Sequence, residues 1–419
     1  MQVVKHSVIY LGSSIINKIT PFLLLPVLTK YLSTEEYGIL MIFQLLITLY
    51  TAFIGMGVNT NVSKNFTSYS HQQISKLVGN ILFILSILTL LFLMMTFLLT
   101  LFYNEIFSIP ASLIQSIPLL SFMFMVNTIN LTILRNEGKA YTYGMFEISN
   151  TSVNIFVTIL FLVVYHYGWQ SRVIGIVIAY FIFFISSMIY MKKRAYLSFD
   201  INKKEIISIL ELSIPLIPHM LSGLVITLSD RIFIEHMISL EMVGIYSVGY
   251  TFGMVIMIVT DAFIKAWNPW FYASLKDLTI ERKEKIVKYT YIYIIGIFIL
   301  TFLLVIVFKH LLPYIVDEKF YGAEVFIVWI ALGYAVHGVY KIFFPYLVYV
   351  NKTTFIALST SIAAILNLIF NYIFILNYGA IGAAYATIVA YIVSSALVIW
   401  YHKNYYDMPW FNFEKIFHR

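Results

Sequence analysis

Apolar runs of helical length, separated by short polar connections, recur from about residue 8 to residue 401. Windows of about 20 residues with few charges fall near 8–29, 38–58, 77–102, 113–134, 141–165, 173–191, 206–229, 244–266, 287–309, 323–345, 355–376 and 380–401. Lipid tolerates only helices or closed barrels, because every backbone polar group needs an internal partner there. Barrel strands would alternate over about ten residues, and these runs do not. The pattern predicts an all-α polytopic membrane protein of twelve transmembrane helices.

The pattern also repeats. Ser33, Glu35, Gly38 and Ile39 recur as Ser239, Glu241, Gly244 and Ile245, at a constant offset of 206 residues. Tyr167, Gly168, Ala179, Tyr180, Tyr190 and Lys192 recur as Tyr378, Gly379, Ala390, Tyr391, Tyr401 and Lys403, at an offset of 211, and Asn154 matches Asn367. Six spans separate the copies, so the halves share one orientation, as in a parallel-repeat transporter with its site between the halves. The division expected is a six-helix bundle over 1–191, a cytoplasmic linker over 192–205, a second bundle over 206–401 and a cytoplasmic tail over 402–419.

Composition agrees with this picture. Of the 419 residues 61% are hydrophobic and only 11% charged, too few to cover a soluble surface. The net charge of +7 suggests nucleic acid less than it suggests orientation. Outside the spans, 18 Lys and Arg lie on the side of the amino terminus and 4 on the other. The positive-inside rule therefore puts both termini in the cytoplasm. Cysteine is absent, which removes disulfides, thiolate nucleophiles and Cys-ligated zinc. No P-loop, Gly-x-Ser-x-Gly elbow or His-Glu-x-x-His stands in the chain, and no cofactor is implied.

Ionisable groups at membrane depth need partners or water, and they mark function by default. Asn17 and Lys18 lie on a polar stripe of the first span. Glu147, Asn150, Thr151 and Asn154 are spaced three and four apart in the fifth, as are Glu211, Pro215 and His219 in the seventh. Asp261 and Lys265 stand at i and i+4, so they either neutralise each other or serve a ligand. His337 and Lys341 share that spacing. Lys18 and Lys341 lack an acid on their own helices, so each needs a ligand anion or a carboxylate from another helix, with Glu147 and Glu211 as candidates. The expected substrate contacts are Lys18, Lys265, Lys341, Asn17 and Asn154. The expected ion-coupling groups are Glu147, Glu211, Asp261, His219 and His337. Arg135, Glu137, Asp230 and Arg231 sit at span ends, where snorkelling suffices. Pro21, Pro26, Pro215, Pro218 and Pro345 are candidate hinges. Glu35 and Glu36 would suit an acid and base pair of a glycan polymerase, but Ser33 and Glu36 also read as a helix capping box. Trp410, Phe411 and Phe413 in the tail suggest a surface anchor.

The run Pro-Phe-Leu-Leu-Leu-Pro-Val-Leu-Thr-Lys-Tyr-Leu-Ser-Thr-Glu-Glu-Tyr-Gly, from Pro21 to Gly38, resembles the opening motif of the Wzx-type polysaccharide biosynthesis flippases. Asp230 to Ile234, Gly244 to Ser247, Ala266 to Trp270 and Tyr378 to Thr387 agree with it. The resemblance implies the multidrug/oligosaccharidyl-lipid/polysaccharide exporter fold, two six-helix bundles in a V, in a bacterial inner membrane. It implies transfer of undecaprenyl-pyrophosphate-linked oligosaccharide to the periplasmic leaflet, coupled to H⁺ or Na⁺, alongside polymerase and chain-length proteins of the same pathway. Two alternatives are a drug or small-cation exporter of the same superfamily and a membrane glycan polymerase.

Overall fold

The computed structural model describes residues 2–412, except for the side chains at positions 2–11, 13–15, 17, 18, 216 and 219. The chain forms two compact units, Met1–Leu221 and Ser222–Arg419. Unit 1 contains α1 (Gln2–Tyr31), α2 (Thr34–Gly55), the short α3 (Asn59–Asn65), α4 (His71–Thr100), α5 (Ala111–Asn136), α6 (Ala140–Ile159), α7 (Gln170–Lys193) and α8 (Lys203–Ser213). A small hairpin of Glu105–Ile106 and Ile109–Pro110 joins α4 to α5. A π-helical turn, Leu160–Val164, extends α6. Next comes α9 (Ile217–Met237), in which the unit boundary falls. Unit 2 continues with α10 (Leu240–Gly253), α11 (Val255–Lys276), α12 (Ile280–Ile315), α13 (Glu324–Tyr349), α14 (Thr353–Tyr378) and α15 (Ile381–His402).

Among the described residues, ten helical stretches are long and apolar enough to cross a membrane. The first and seventh windows are not among the ten. In the first, only Ile19–Tyr31 counts, as a shorter apolar helix. In the seventh, Pro215 and Pro218 break the helix, leaving α8, a 3₁₀ turn over Ile214–Leu216 and α9. Proline has no N–H to donate and collides with the carbonyl four residues back. Pro21, Pro26 and Pro345, by contrast, lie inside continuous helices.

Helix starts follow local chemistry. The Ser33 hydroxyl accepts from the Glu36 N–H at 3.0 Å and the Glu36 carboxylate accepts from the Ser33 N–H at 2.9 Å, a complete capping box. Its repeat mate Ser239 caps α10 by accepting from the Met242 N–H at 3.1 Å. Methionine stands where the reciprocal acid would be, so only half the box forms. Gly249 and Gly253 press α10 onto α13, since a Cβ on either would collide with Phe326 or Ile330. That pair of glycines is a contact within unit 2.

The basic segment after α7 is docked rather than free. Asn80, fully buried on α4, donates to the carbonyl of Asp200 at 3.1 Å and accepts from the Asn202 N–H at 2.9 Å. Lys76 pairs with Asp200 at 2.6 Å. Tyr196 is buried, and its hydroxyl donates to Glu137 at 2.9 Å. The tail also turns inward at its start. Trp410 packs on Phe343, His402 and Tyr291, its carbonyl accepts from the Tyr291 hydroxyl at 2.6 Å, and Lys283 donates to the carbonyl of Asp407 at 2.8 Å. Trp410 is thus a packing residue, whereas Phe411 is exposed and Phe413 lies outside the described residues.

Candidate functional site

Unit 1 holds an open cavity of about 490 Å³ between α1, α5, α6 and α7, with Asn59 of α3 at its side. The polar stripe of α6 lines it with Tyr143, Glu147, Asn150, Thr151 and Asn154, as helical spacing requires. From α5 come Asn127, Thr128, Thr132 and Arg135, from α7 Arg172 and Tyr180, and from α1 Thr20 and Pro21. Behind this lining the Ser187 hydroxyl donates to Asn127 at 2.9 Å and Asn130 donates to Ser187 at 3.3 Å, tying α5 to α7. Gly175 allows α6 and α7 to touch, because a Cβ there would overlap Thr158. Glu147 has a buried carboxylate oxygen with no hydrogen-bond partner among the described residues. Carboxamides and hydroxyls dominate the lining, and such groups suit the many hydroxyls of a glycan.

In unit 2, α11 packs on α13 and brings Asp261 to Lys341. Their ion pair measures 2.5 Å and is half-buried, at 25% and 20% exposure. The cross-helix carboxylate that Lys341 needs is therefore Asp261, not Glu147 or Glu211. Lys265, one turn from Asp261 on α11, is exposed. His337 lies one turn before Lys341, with its ring 4.4 Å from that of Tyr391 and its Nδ1 without a hydrogen-bond partner among the described residues. Lys341→Ala is expected to destabilise the protein by about 1–3 kcal/mol, because it takes the ion-pair partner from a half-buried carboxylate. Adding Asp261→Asn should recover most of that loss in thermal unfolding of the purified protein, since removing both charges costs less than stranding one. Additive losses would mean that the pair does not carry the effect.

The second polar centre of unit 2 was not legible in the sequence. Asp230 is fully buried on α9. It accepts from the Tyr246 hydroxyl at 2.5 Å, from Asn371 at 3.1 Å and from the Thr387 hydroxyl at 3.1 Å. Asn367, the repeat mate of Asn154, accepts from the Ser229 hydroxyl at 2.9 Å and donates to Thr387 at 3.3 Å. Arg231 is also buried, donates to Ser247 at 3.2 Å and stacks over the Tyr250 ring at 4.2 Å. Neither residue snorkels, which corrects the span-end assignment. Tyr246 of α10, Asn371 of α14 and Thr387 of α15 surround Asp230, and Ser247 and Tyr250 of α10 hold Arg231, so both side chains meet protein rather than water.

Of the expected site residues, Glu147 and Asn154 share the unit 1 cavity, and Asp261, His337 and Lys341 cluster in unit 2. Glu211 is exposed on α8 and does not line the unit 1 cavity. The side chains of Asn17, Lys18 and His219 lie outside the described residues. Arg172 was missed because it sits at the edge of its apolar window. Its signal was Asn154, which the sequence had marked and which accepts a hydrogen bond from it.

The profile of a family described as "Polysaccharide biosynthesis protein" matches residues 3–275. The chain is 26% identical over 411 residues to "Lsg locus putative protein 1" of Haemophilus influenzae, covering 94% of this chain and 98% of that one. Among solved structures, the lipid II flippase MurJ in an inward closed conformation is similar with a TM-score of 0.72 at 14% identity, over 96% of this chain and 87% of that one. An inward-facing multidrug resistance transporter of the MATE family, within the MOP superfamily, is similar with a TM-score of 0.73 at 14% identity, over 92% and 94% of the two chains. At that identity the likeness shows the fold alone.

Proposed function

The chain belongs to the polysaccharide biosynthesis protein family, and we propose that it is a flippase carrying undecaprenyl-pyrophosphate-linked oligosaccharide from the cytoplasmic to the periplasmic leaflet of a bacterial inner membrane. The observation that carries this reading is the amide- and hydroxyl-lined cavity of unit 1, set among helices of membrane-spanning length. A hydrophobic drug would be served better by an apolar and aromatic lining. The lipid tail stays in the bilayer while the glycan crosses, so the protein needs polar lining for the sugar only.

Coupling to H⁺ or Na⁺ by alternating access completes the proposal, with both termini in the cytoplasm. Glu147 and Asp261 lie on helices of spanning length and Asp230 is buried on α9, and carboxylates so placed are the groups such coupling uses. Lys341 rests on Asp261, so protonation of Asp261 would release the lysine and bias one state over another. Deleting the gene and analysing lipid-linked oligosaccharides tests the proposal. Complete single repeat units should accumulate on undecaprenyl pyrophosphate in the cytoplasmic leaflet. Normal surface glycan with altered drug tolerance would point instead to an exporter, and single units already exposed in the periplasmic leaflet to a polymerase.

A further inference from the structure

The two arginines buried among the described residues, Arg172 and Arg231, are held differently. Arg231 lies next to the carboxylate of Asp230 in sequence and packs on the Tyr250 ring. Arg172, 8% exposed at the start of α7, has no carboxylate within ion-pair distance among the described residues. Its Nη1 donates to the Asn154 side-chain oxygen and, at 3.3 Å, to the Thr158 hydroxyl. Its Nε and Nη2 have no protein partner among the described residues, although the residue lines the cavity. These two nitrogens form the side-on edge of the guanidinium, the edge that matches two oxygens of a carboxylate or phosphate.

A buried cation without a counter-charge is strongly unfavourable, and it cannot shed its proton as a lysine would. Glu147 is the acid of the same cavity, but it stands two turns from Asn154 along α6 and forms no ion pair with Arg172. The free edge is therefore available to a visitor. Asn154 and Thr158, both from α6, accept from the opposite side and fix the plane of the guanidinium. Close packing of α6 and α7 at Gly175 supports that arrangement.

We propose that Arg172 is an oxyanion-recognition residue of the unit 1 cavity, taking a carboxylate or phosphate of the translocated glycolipid on its Nε and Nη2 edge. The inference rests on the flippase reading for the identity of the ligand, but not for the existence of the site. The oxyanion has two sources, an acidic sugar of the glycan or the pyrophosphate that joins glycan to lipid.

Binding to the purified full-length protein tests it, with glucuronate, inorganic pyrophosphate and neutral glucose as probes in titration calorimetry and thermal unfolding. One of the two anions should bind and raise the unfolding midpoint, and glucose should not. Binding of glucuronate alone assigns the site to an acidic sugar, and binding of pyrophosphate alone assigns it to the linkage. Arg172→Gln should weaken that binding at least tenfold, and Arg172→Lys, which keeps the charge but not the fork, should fall between. A purely structural arginine would give the opposite pattern: variants with a lowered midpoint without ligand and unchanged anion affinity. That pattern, or no binding of either anion to the native protein, overturns the proposal. Should the glutamine variant fail to fold, the affinity of Arg172→Lys decides. Anion binding that survives alongside unchanged lipid-linked intermediates in the deletion strain would retain the site and reject the flippase reading.

Discussion

Asp230→Ala is expected to cost about 3–5 kcal/mol of stability, the loss typical of removing one member from a buried charged network. Asp230→Asn should retain the fold with a smaller loss. The alanine variant strands the Tyr246 and Thr387 hydroxyls, both aimed at the missing oxygens, and takes one acceptor from the Asn371 amide, which keeps Ser229 and Asn367. Each buried donor without an acceptor costs about 1–3 kcal/mol. It also leaves the Arg231 guanidinium buried beside an uncharged neighbour. Asparagine keeps one acceptor oxygen at nearly the same place, and the two hydroxyls can rotate to share it. Thermal unfolding of both variants in one detergent measures the difference. An alanine variant within about 1 kcal/mol of the native protein would mean that water satisfies these donors. Transport by a folded Asp230→Asn variant then asks whether the charge itself is used.

What could be read in advance followed from periodicity and short-range chemistry. The Ser33 and Glu36 capping box and its half-copy at Ser239 were legible because a cap is decided within four residues. Ten of the twelve apolar windows overlie helices long and apolar enough to cross a membrane, because lipid length and helical rise set their size. The polar stripe of α6 was legible for the same reason, and it faces a cavity. Lys341 and Asp261 were each marked, but their partnership spans 80 residues and depends on how α11 meets α13. Asp230 and Arg172 were undervalued on one ground. A charge at the edge of an apolar window looks like a snorkelling group, and only tertiary packing shows whether water or protein lies beyond it. The repeat held the missing clue. Asn154 and Asn367 correspond in sequence, and each belongs to a buried polar network, one that holds a cation in unit 1 and one that holds an anion in unit 2.

Gly79→Ala is expected to release the segment between α7 and α8 from unit 1. A Cβ at position 79 would overlap the carbonyl oxygen of Ser198. That oxygen is backbone, so no side chain can turn aside and the segment itself must move, at a cost of about 1–3 kcal/mol. Asn80 would then lose its contacts to Asp200, Asn202 and Glu205 together. Because the native chain has no cysteine, Leu197→Cys makes a single reporter beside the apolar groove of Leu82, Phe122 and Met188. Maleimide should label it at least tenfold faster in the Gly79→Ala background, and an unchanged rate would show that the segment tolerates the Cβ in place. The docked segment also carries a pH signature. Burial pushes the Glu205 carboxyl up, Lys76 opposes that and Asp200 adds to it. A carboxyl raised by docking holds its proton more tightly in the docked state, so docking is strongest below the ordinary carboxylate range and weakens as pH rises through the raised value. Glu205→Gln mimics the protonated form. It should unfold at a higher temperature than the native protein at neutral pH, and that advantage should vanish on acidification. A constant difference across pH would mean that Glu205 does not feel the docked segment, and that Asn80 and Gly79 hold it without help from charge.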